Sequence, residues 1–343
     1  MLLVPLFIGL FHPMAPKRSY EGFWFFFVVL LLFCGLRFEV GADWRGYENI
    51  YDRVFDKDFD EIFQSAEPAF FLLNKASDWF GVGYPGVIFV SSLIFLVGCF
   101  TYARKTTNPW LAIAAVMPYL VFIISLSGIR QACAIGLGFY LFSDWARSSL
   151  FKKLAIVALA VAFHNSAGVL LVFVIFGMKT NMLVKLGLAA GVAVFLAFGL
   201  NVDETEAFGK YKSVYIDENL VSEGAFFHVL LIAFPSALYL LFRKKIERAG
   251  LADTNVLLAS VLTLCAMPLL PLSSTGIDRL TLYFSFVQMW TYPALLRSGV
   301  INQAVLKVGL TVLLLAIFLV YFMFGAHASA YLPYKTIVSG WLV

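Results

Sequence analysis

The sequence predicts an all-α protein that crosses a membrane many times, and three observations carry the prediction. Apolar residues make up 61% of the 343-residue chain and charged residues only 13%, with a mean hydropathy of +0.87. A soluble domain of this length carries far more charge. Apolar runs near span length recur along the whole chain, and they are separated by polar segments of alternating character. Basic clusters fall between alternate runs and two acidic segments fall between others, which is the asymmetry that orients multi-pass proteins. Thirty-six Phe and seven Trp suit lipid-facing helices with aromatic belts at the interfaces.

Taken in order, Met1 to Phe11 is apolar but short of the roughly 20 residues a span needs. Lys17 and Arg18 mark the cytoplasmic side, and Phe23 to Leu36 runs outward. Residues 37–67 form a polar segment in which Glu39, Asp43, Glu48, Asp52, Asp56, Asp58, Asp60, Glu61 and Glu67 outnumber Arg37, Arg45, Arg53 and Lys57. It opens an outer loop of about residues 37–83. Pro68 to Trp79 reads as an amphipathic or re-entrant helix, because Asn74, Lys75 and Asp78 argue against a full span. Tyr84 to Tyr102 returns inward to Arg104 and Lys105.

Trp110 to Ser125 goes out and Ile129 to Phe142 comes back, with Arg147, Lys152 and Lys153 again inside. Leu154 to Met178 has basic flanks at both ends and is broken by His164-Asn-Ser-Ala-Gly168. A hairpin over about residues 152–179 satisfies that pattern, with arms of about 12 residues, or roughly 18 Å each. Non-helical backbone at membrane depth is tolerable where it lines protein or a watery cavity.

Leu186 to Leu200 leads to a second acidic outer loop, about residues 201–225, and Phe226 to Phe242 returns to the basic Arg243–Arg248 cluster. Val256 to Leu270 goes out to the polar Pro271–Arg279 turn, and Leu280 to Leu296 returns to Arg297. Leu306 to Phe324 goes out and leaves Ala326 to Val343 outside. The expectation is a single integral membrane domain over residues 1–343 with about 11–12 transmembrane segments.

Several function classes are excluded. There is no dinucleotide or P-loop glycine pattern, no Gly-x-Ser-x-Gly elbow and no basic run of the kind that binds nucleic acid. Cys34, Cys99, Cys133 and Cys265 lie far apart in apolar stretches and read as small hydrophobes. No His, Asp and Glu cluster has metal-ligand spacing, so neither a metal nor another cofactor is expected. The N-terminus lacks a charged start and a small-residue cleavage site, so no removable signal peptide is expected.

The chemistry concentrates in a few polar residues. Arg130 and Gln131 interrupt the otherwise apolar stretch Pro109 to Asp144. Arginine cannot shed its charge, and at the bilayer centre it costs roughly 2.5–3.5 kcal/mol even on insertion scales. One reading makes Arg130 and Arg279 interfacial anchors snorkelling to headgroups. The other aims them at an anion, since a guanidinium fork suits phosphate oxygens and the positive-inside rule disfavours Arg37, Arg45, Arg130 and Arg279 on the outer side. His164 is either a hydrogen-bonded turn residue with Asn165 and Ser166 capping the next helix or a general base. Asp43, Glu48 and Glu67 are candidate acceptors for sugar hydroxyls or partners for the arginines. Tyr211 and Tyr215 are candidate stacking residues for sugar faces.

Read together, Arg37-Phe-Glu-Val-Gly-Ala-Asp-Trp-Arg-Gly-Tyr47, Glu67-Pro-Ala-Phe-Phe, Ser127-Gly-Ile-Arg-Gln-Ala132, Phe163-His-Asn-Ser-Ala167 and Asp278-Arg279 with Tyr283-Phe284 resemble the EpsG family. That family belongs among the Wzy-type bacterial polysaccharide polymerases, and the resemblance runs from about Arg37 to Phe284. It implies a GT-C-like helical bundle in the bacterial inner membrane. Such a bundle joins oligosaccharide repeat units carried on undecaprenyl diphosphate at the periplasmic face. It implies lipid-linked donor and acceptor as partners, together with membrane lipid and a chain-length regulator protein. On this chain Arg130 and Arg279 would hold the diphosphate, with Gln131 beside them, and His164 would be the base. Arg37, Asp43, Arg45, Tyr47 and Glu67 would shape the sugar site. A lipid-linked oligosaccharide transporter and a membrane O-acyltransferase remain as alternatives from other classes; against the transporter, no internal repeat or matched pair of broken segments is visible.

Overall fold

Capping residues set where the helices begin. Asn108 accepts from the Leu111 amide at 3.0 Å with Pro109 in the first turn, and its amide donates to the Gly9 carbonyl at 2.6 Å. Ser149 accepts from Lys152, Asp253 from Asn255 and Val256, and Asn302 from Ala304 and Val305. Each satisfies amides that a helix start leaves without a partner. The structure, a computed structural model, describes residues 1–11, 19–54, 57–65, 67–199 and 224–337. Among these the protein is all-α, and the one extended pairing is an isolated bridge between Arg37 and Thr336.

Gly83–Ala103, Pro109–Ser127, Ala225–Arg248 and Gln303–Phe324 are long and apolar enough to cross a bilayer, and shorter apolar helices cover Glu21–Gly35, Asn165–Gly177, Met182–Val194 and Thr254–Leu269. This is the all-α polytopic membrane protein the composition predicts. The Pro109–Ser127 segment forms its centre, with 89% of its apolar window buried, whereas Gln303–Phe324 is peripheral with 17% buried. The central segment widens into a π-helix over Met117–Ile124, a feature without a signal in the apolar pattern. Helices Gly83–Ala103 and Ile129–Ser143 meet at paired glycines. A Cβ on Gly136 would lie 2.6 Å from the Phe95 Cα, and one on Gly98 would collide with the Gly136 carbonyl.

The two ends of the bundle are held by different bonds. At one end Lys105 Nζ donates to Asp253 at 2.8 Å and to the Phe142 carbonyl at 3.3 Å, tying three segments that the charge pattern assigns to the same side. At the other end Arg37 donates to the carbonyls of Cys34, Val40 and Leu126 at 2.7, 3.1 and 3.1 Å.

Three features differ from the reading of the sequence. The polar segment after Arg37 is not a plain loop but contains helices Trp44–Val54 and Phe59–Gln64. In the first, Trp44, Tyr47, Tyr51 and Val54 are buried, at spacings of three and four that make one apolar face. The polar turn before Arg279 contains the helix Ser274–Thr281. The segment after Phe324 folds back over the start of the chain: Phe38 and Gly41 donate to the carbonyls of Lys335 and Ala330, and Ile337 donates to that of Leu36. Phe33 stacks on Tyr334 at 4.2 Å. Lys17, Arg18 and residues 201–223 of the second acidic loop lie outside the described residues.

Candidate active site

Two backbone breaks and one proline create the site. Gly128 (φ −81°, ψ 61°) interrupts the central run, and the helix Ile129–Ser143 restarts with Arg130 and Gln131 in its first turn. His164 is extended (φ −159°, ψ 120°) between the helix Leu150–Phe163 and the 3-10 turn Asn165–Val169. Pro68 opens the helix Pro68–Trp79 and drives the preceding residue out of helical conformation, so Glu67 sits at φ −134°, ψ 62°. Its carboxylate makes no capping bond to its own helix and turns to the two breaks instead.

There it joins a guanidinium to an imidazole. Arg130 Nη1 donates to Oε2 of Glu67, and Nδ1 of His164 lies 2.5 Å from Oε1. The Asn165 amide donates to that same oxygen at 3.4 Å. Glu67 is only 7% exposed. The Arg130 side chain keeps 30%, with its guanidinium 5.3 Å from the Tyr47 ring centre and 5.9 Å from that of Phe70. These contacts join residues up to 98 positions apart in the chain.

The electrostatics follow from that geometry. Burial alone would push the Glu67 carboxyl up, but the hydrogen bond and charge of His164, the charge of Arg130 and the Asn165 amide outweigh it. The group is held below its usual range. Glu67 is therefore ionised at neutral pH, and an ionised carboxylate only accepts hydrogen bonds. Nδ1 of His164 must then carry the hydrogen, and in the neutral ring Nε2 keeps the lone pair that a base needs. Burial pushes the Tyr47 phenol up, opposed by the charge and hydrogen bond of Arg130.

Arg279 enters through its main chain. Gln131 Nε2 donates to the Arg279 carbonyl at 2.8 Å, and Ser166 Oγ is 3.1 Å from the Tyr283 hydroxyl. Thus the segments around Gly128, His164 and Arg279 are fastened to one another.

The remaining sequence candidates are placed differently. Tyr47 is buried against Arg130, while Asp43 and Arg45 are exposed at the start of the helix Trp44–Val54. Asp43 stays within electrostatic reach of Tyr47 and Tyr331. Arg37 is 1% exposed and is engaged by three carbonyls, with Trp44 5.8 Å away; it holds backbone and is not presented to a ligand. Tyr211 and Tyr215 lie outside the described residues. Among those described, no group of three or more His, Cys, Asp and Glu side chains is placed to hold a metal ion.

The sequence reading missed a second imidazole–carboxylate pair. Nδ1 of His228 is 3.0 Å from Oδ2 of Asp278, and the ring stacks on Tyr119 at 4.4 Å. The signal available was a lone histidine opening an apolar helix and an aspartate directly before Arg279.

Fold and site together define a multi-pass helical membrane protein with a polar constellation gathered at breaks in its helices. A model of the EpsG family matches residues 22–336, nearly the whole chain, and the protein belongs to that family of Wzy-like polysaccharide polymerases. No curated protein and no solved structure matches it.

Proposed function

We propose that the protein joins oligosaccharide repeat units carried on a polyprenyl diphosphate such as undecaprenyl diphosphate, at the periplasmic face of the bacterial inner membrane. The observation that carries this reading is the Glu67 carboxylate bound at once by Arg130 and His164. A hydroxyl of one lipid-linked unit attacks C1 of the sugar on the other. The new C1–O bond forms as the C1–O bond to diphosphate breaks, and the diphosphate leaves with the electron pair. Nε2 of His164 takes the hydroxyl proton, while Glu67 on Nδ1 steadies the imidazolium that results.

Cationic donors offset the charge gathering on the departing diphosphate, and such stabilisation is strong where water is scarce. Arg130 also fixes Glu67, so one residue links the base to the anion side. A displacement in line inverts the anomeric centre. The bundle plan expected for this chemistry is GT-C-like.

The test is polymerisation of lipid-linked repeats by His164→Ala and Arg130→Ala variants that insert normally. Both are expected to yield unpolymerised units, and wild-type chain lengths in both would end the proposal. A wild-type protein that moves lipid-linked headgroups across proteoliposomes without extending glycans would identify a transporter instead.

A further inference from the structure

We propose that His228, oriented by Asp278 and Tyr119, is a second functional imidazole of the site and contacts the diphosphate of the lipid-linked donor. The inference rests on the polymerase reading above and adds a residue which that reading does not contain. His228 lies in the first turn of the helix Ala225–Arg248. Its Nδ1 is 3.0 Å from Oδ2 of Asp278, and its ring lies on that of Tyr119 with centres 4.4 Å and planes 28° apart. Gly224 leaves room at the other nitrogen, where a Cβ would come within 2.9 Å of Nε2. A carboxylate on one nitrogen and an aromatic face fix the ring, yet its side chain keeps 22% exposure. An apolar helix gains nothing from such an arrangement; a polar ligand does.

Two routes connect this pair to the Glu67 constellation. Asp278 directly precedes Arg279, whose carbonyl accepts from Gln131, the neighbour of Arg130. In the other direction Tyr119 meets Tyr321 at 6.3 Å and Tyr321 meets Tyr331 at 6.1 Å. Tyr331 then shares a 2.5 Å hydrogen bond with Ser127, just before the Gly128 break. His228 and His164 are therefore tied to the same arginine-bearing segments by separate contacts.

The chemistry divides the labour between them. His164 shares its carboxylate with Arg130 and serves the nucleophile. The diphosphate needs donors that carry positive charge, because those make the shorter and stronger hydrogen bonds to phosphate oxygens. An imidazole that carries a hydrogen on each nitrogen gives one to the carboxylate and the other, from Nε2, to a phosphate oxygen. His228 supplies that donor from beside Asp278 and forms no covalent bond itself.

The test titrates the purified full chain in lipid nanodiscs with inorganic diphosphate, using sulfate as the control anion. His228→Asn keeps a donor towards Asp278 but has nothing at the Nε2 position, and it should weaken diphosphate binding roughly ten-fold or more. His228→Gln places an amide N–H near the Nε2 position and should recover part of that loss. His164→Asn should bind diphosphate within roughly two-fold of wild type while failing to polymerise. Wild-type affinity in His228→Asn, or equal losses in the Asn and Gln variants, would overturn the inference and leave the polymerase reading standing. A wild-type protein that binds diphosphate no better than sulfate would overturn both.

Discussion

Oε1 of Glu67 lies 2.5 Å from Nδ1 of His164, joining residues 97 positions apart through one carboxylate oxygen. The other oxygen is taken by Arg130. This one carboxylate joins both partners, so the prediction of greatest consequence concerns Glu67.

Glu67→Gln keeps the shape and removes the charge. The His164 ring loses the acceptor that fixes its tautomer, and removing such an orienting carboxylate costs up to about 10⁴-fold in a comparable triad. Polymerisation by this variant is expected to fall at least about 100-fold with the protein still inserted and folded, as followed by glycan length on gels and by thermal unfolding in detergent.

The same residue sets a pH signature. Its folded carboxyl lies below its usual range, so folding favours the charged form. The stabilisation is complete above the unfolded value of about 4.3 and disappears as pH falls through the lower folded value. The gap in melting temperature between wild type and Glu67→Gln should thus close as pH falls below about 4.3.

Arg37→Met tests a different role. The wild-type guanidinium satisfies three carbonyls at 1% exposure; the variant leaves them without donors, at a cost of about 1–3 kcal/mol each where they stay buried. Lower yield and a lower melting temperature are expected. The surviving folded fraction should keep a wild-type KM, since Arg37 faces no ligand.

Gly136→Val tests the helix crossing. The 2.6 Å approach of its Cβ position to the Phe95 backbone leaves no room for a side chain, and overpacking costs about 1–3 kcal/mol or more. The melting temperature should drop even though valine is well tolerated by apolar helices in general.

How much of this was legible in the chain depends on what each feature rests on. The apolar runs and their breaks at Gly128 and His164 were readable, because a glycine or a polar cluster inside an apolar run weakens the helix at that point whatever packs around it. Arg130, His164 and Glu67 could be named individually, yet their meeting on one carboxylate is a tertiary fact carried by contacts across 63 and 97 positions. The helix Trp44–Val54 was hidden by its charges, since the buried Trp44, Tyr47, Tyr51 and Val54 stripe stands among more numerous polar residues. Arg37 shows the limit most plainly: an arginine in a motif looks the same whether it faces phosphate or three of its own carbonyls. The His228–Asp278 pair went unread because its halves lie 50 positions apart and the histidine sits in an apolar run.

The return of residues 330–337 onto residues 33–41 has a consequence for biogenesis. Tyr331 completes the support under Ser127, so a chain synthesised only through the Gln303–Phe324 helix lacks that brace beside the Gly128 break. Assembly intermediates that stop short of Tyr331 then carry Glu67, Arg130 and His164 without the bond that braces the segment before Arg130.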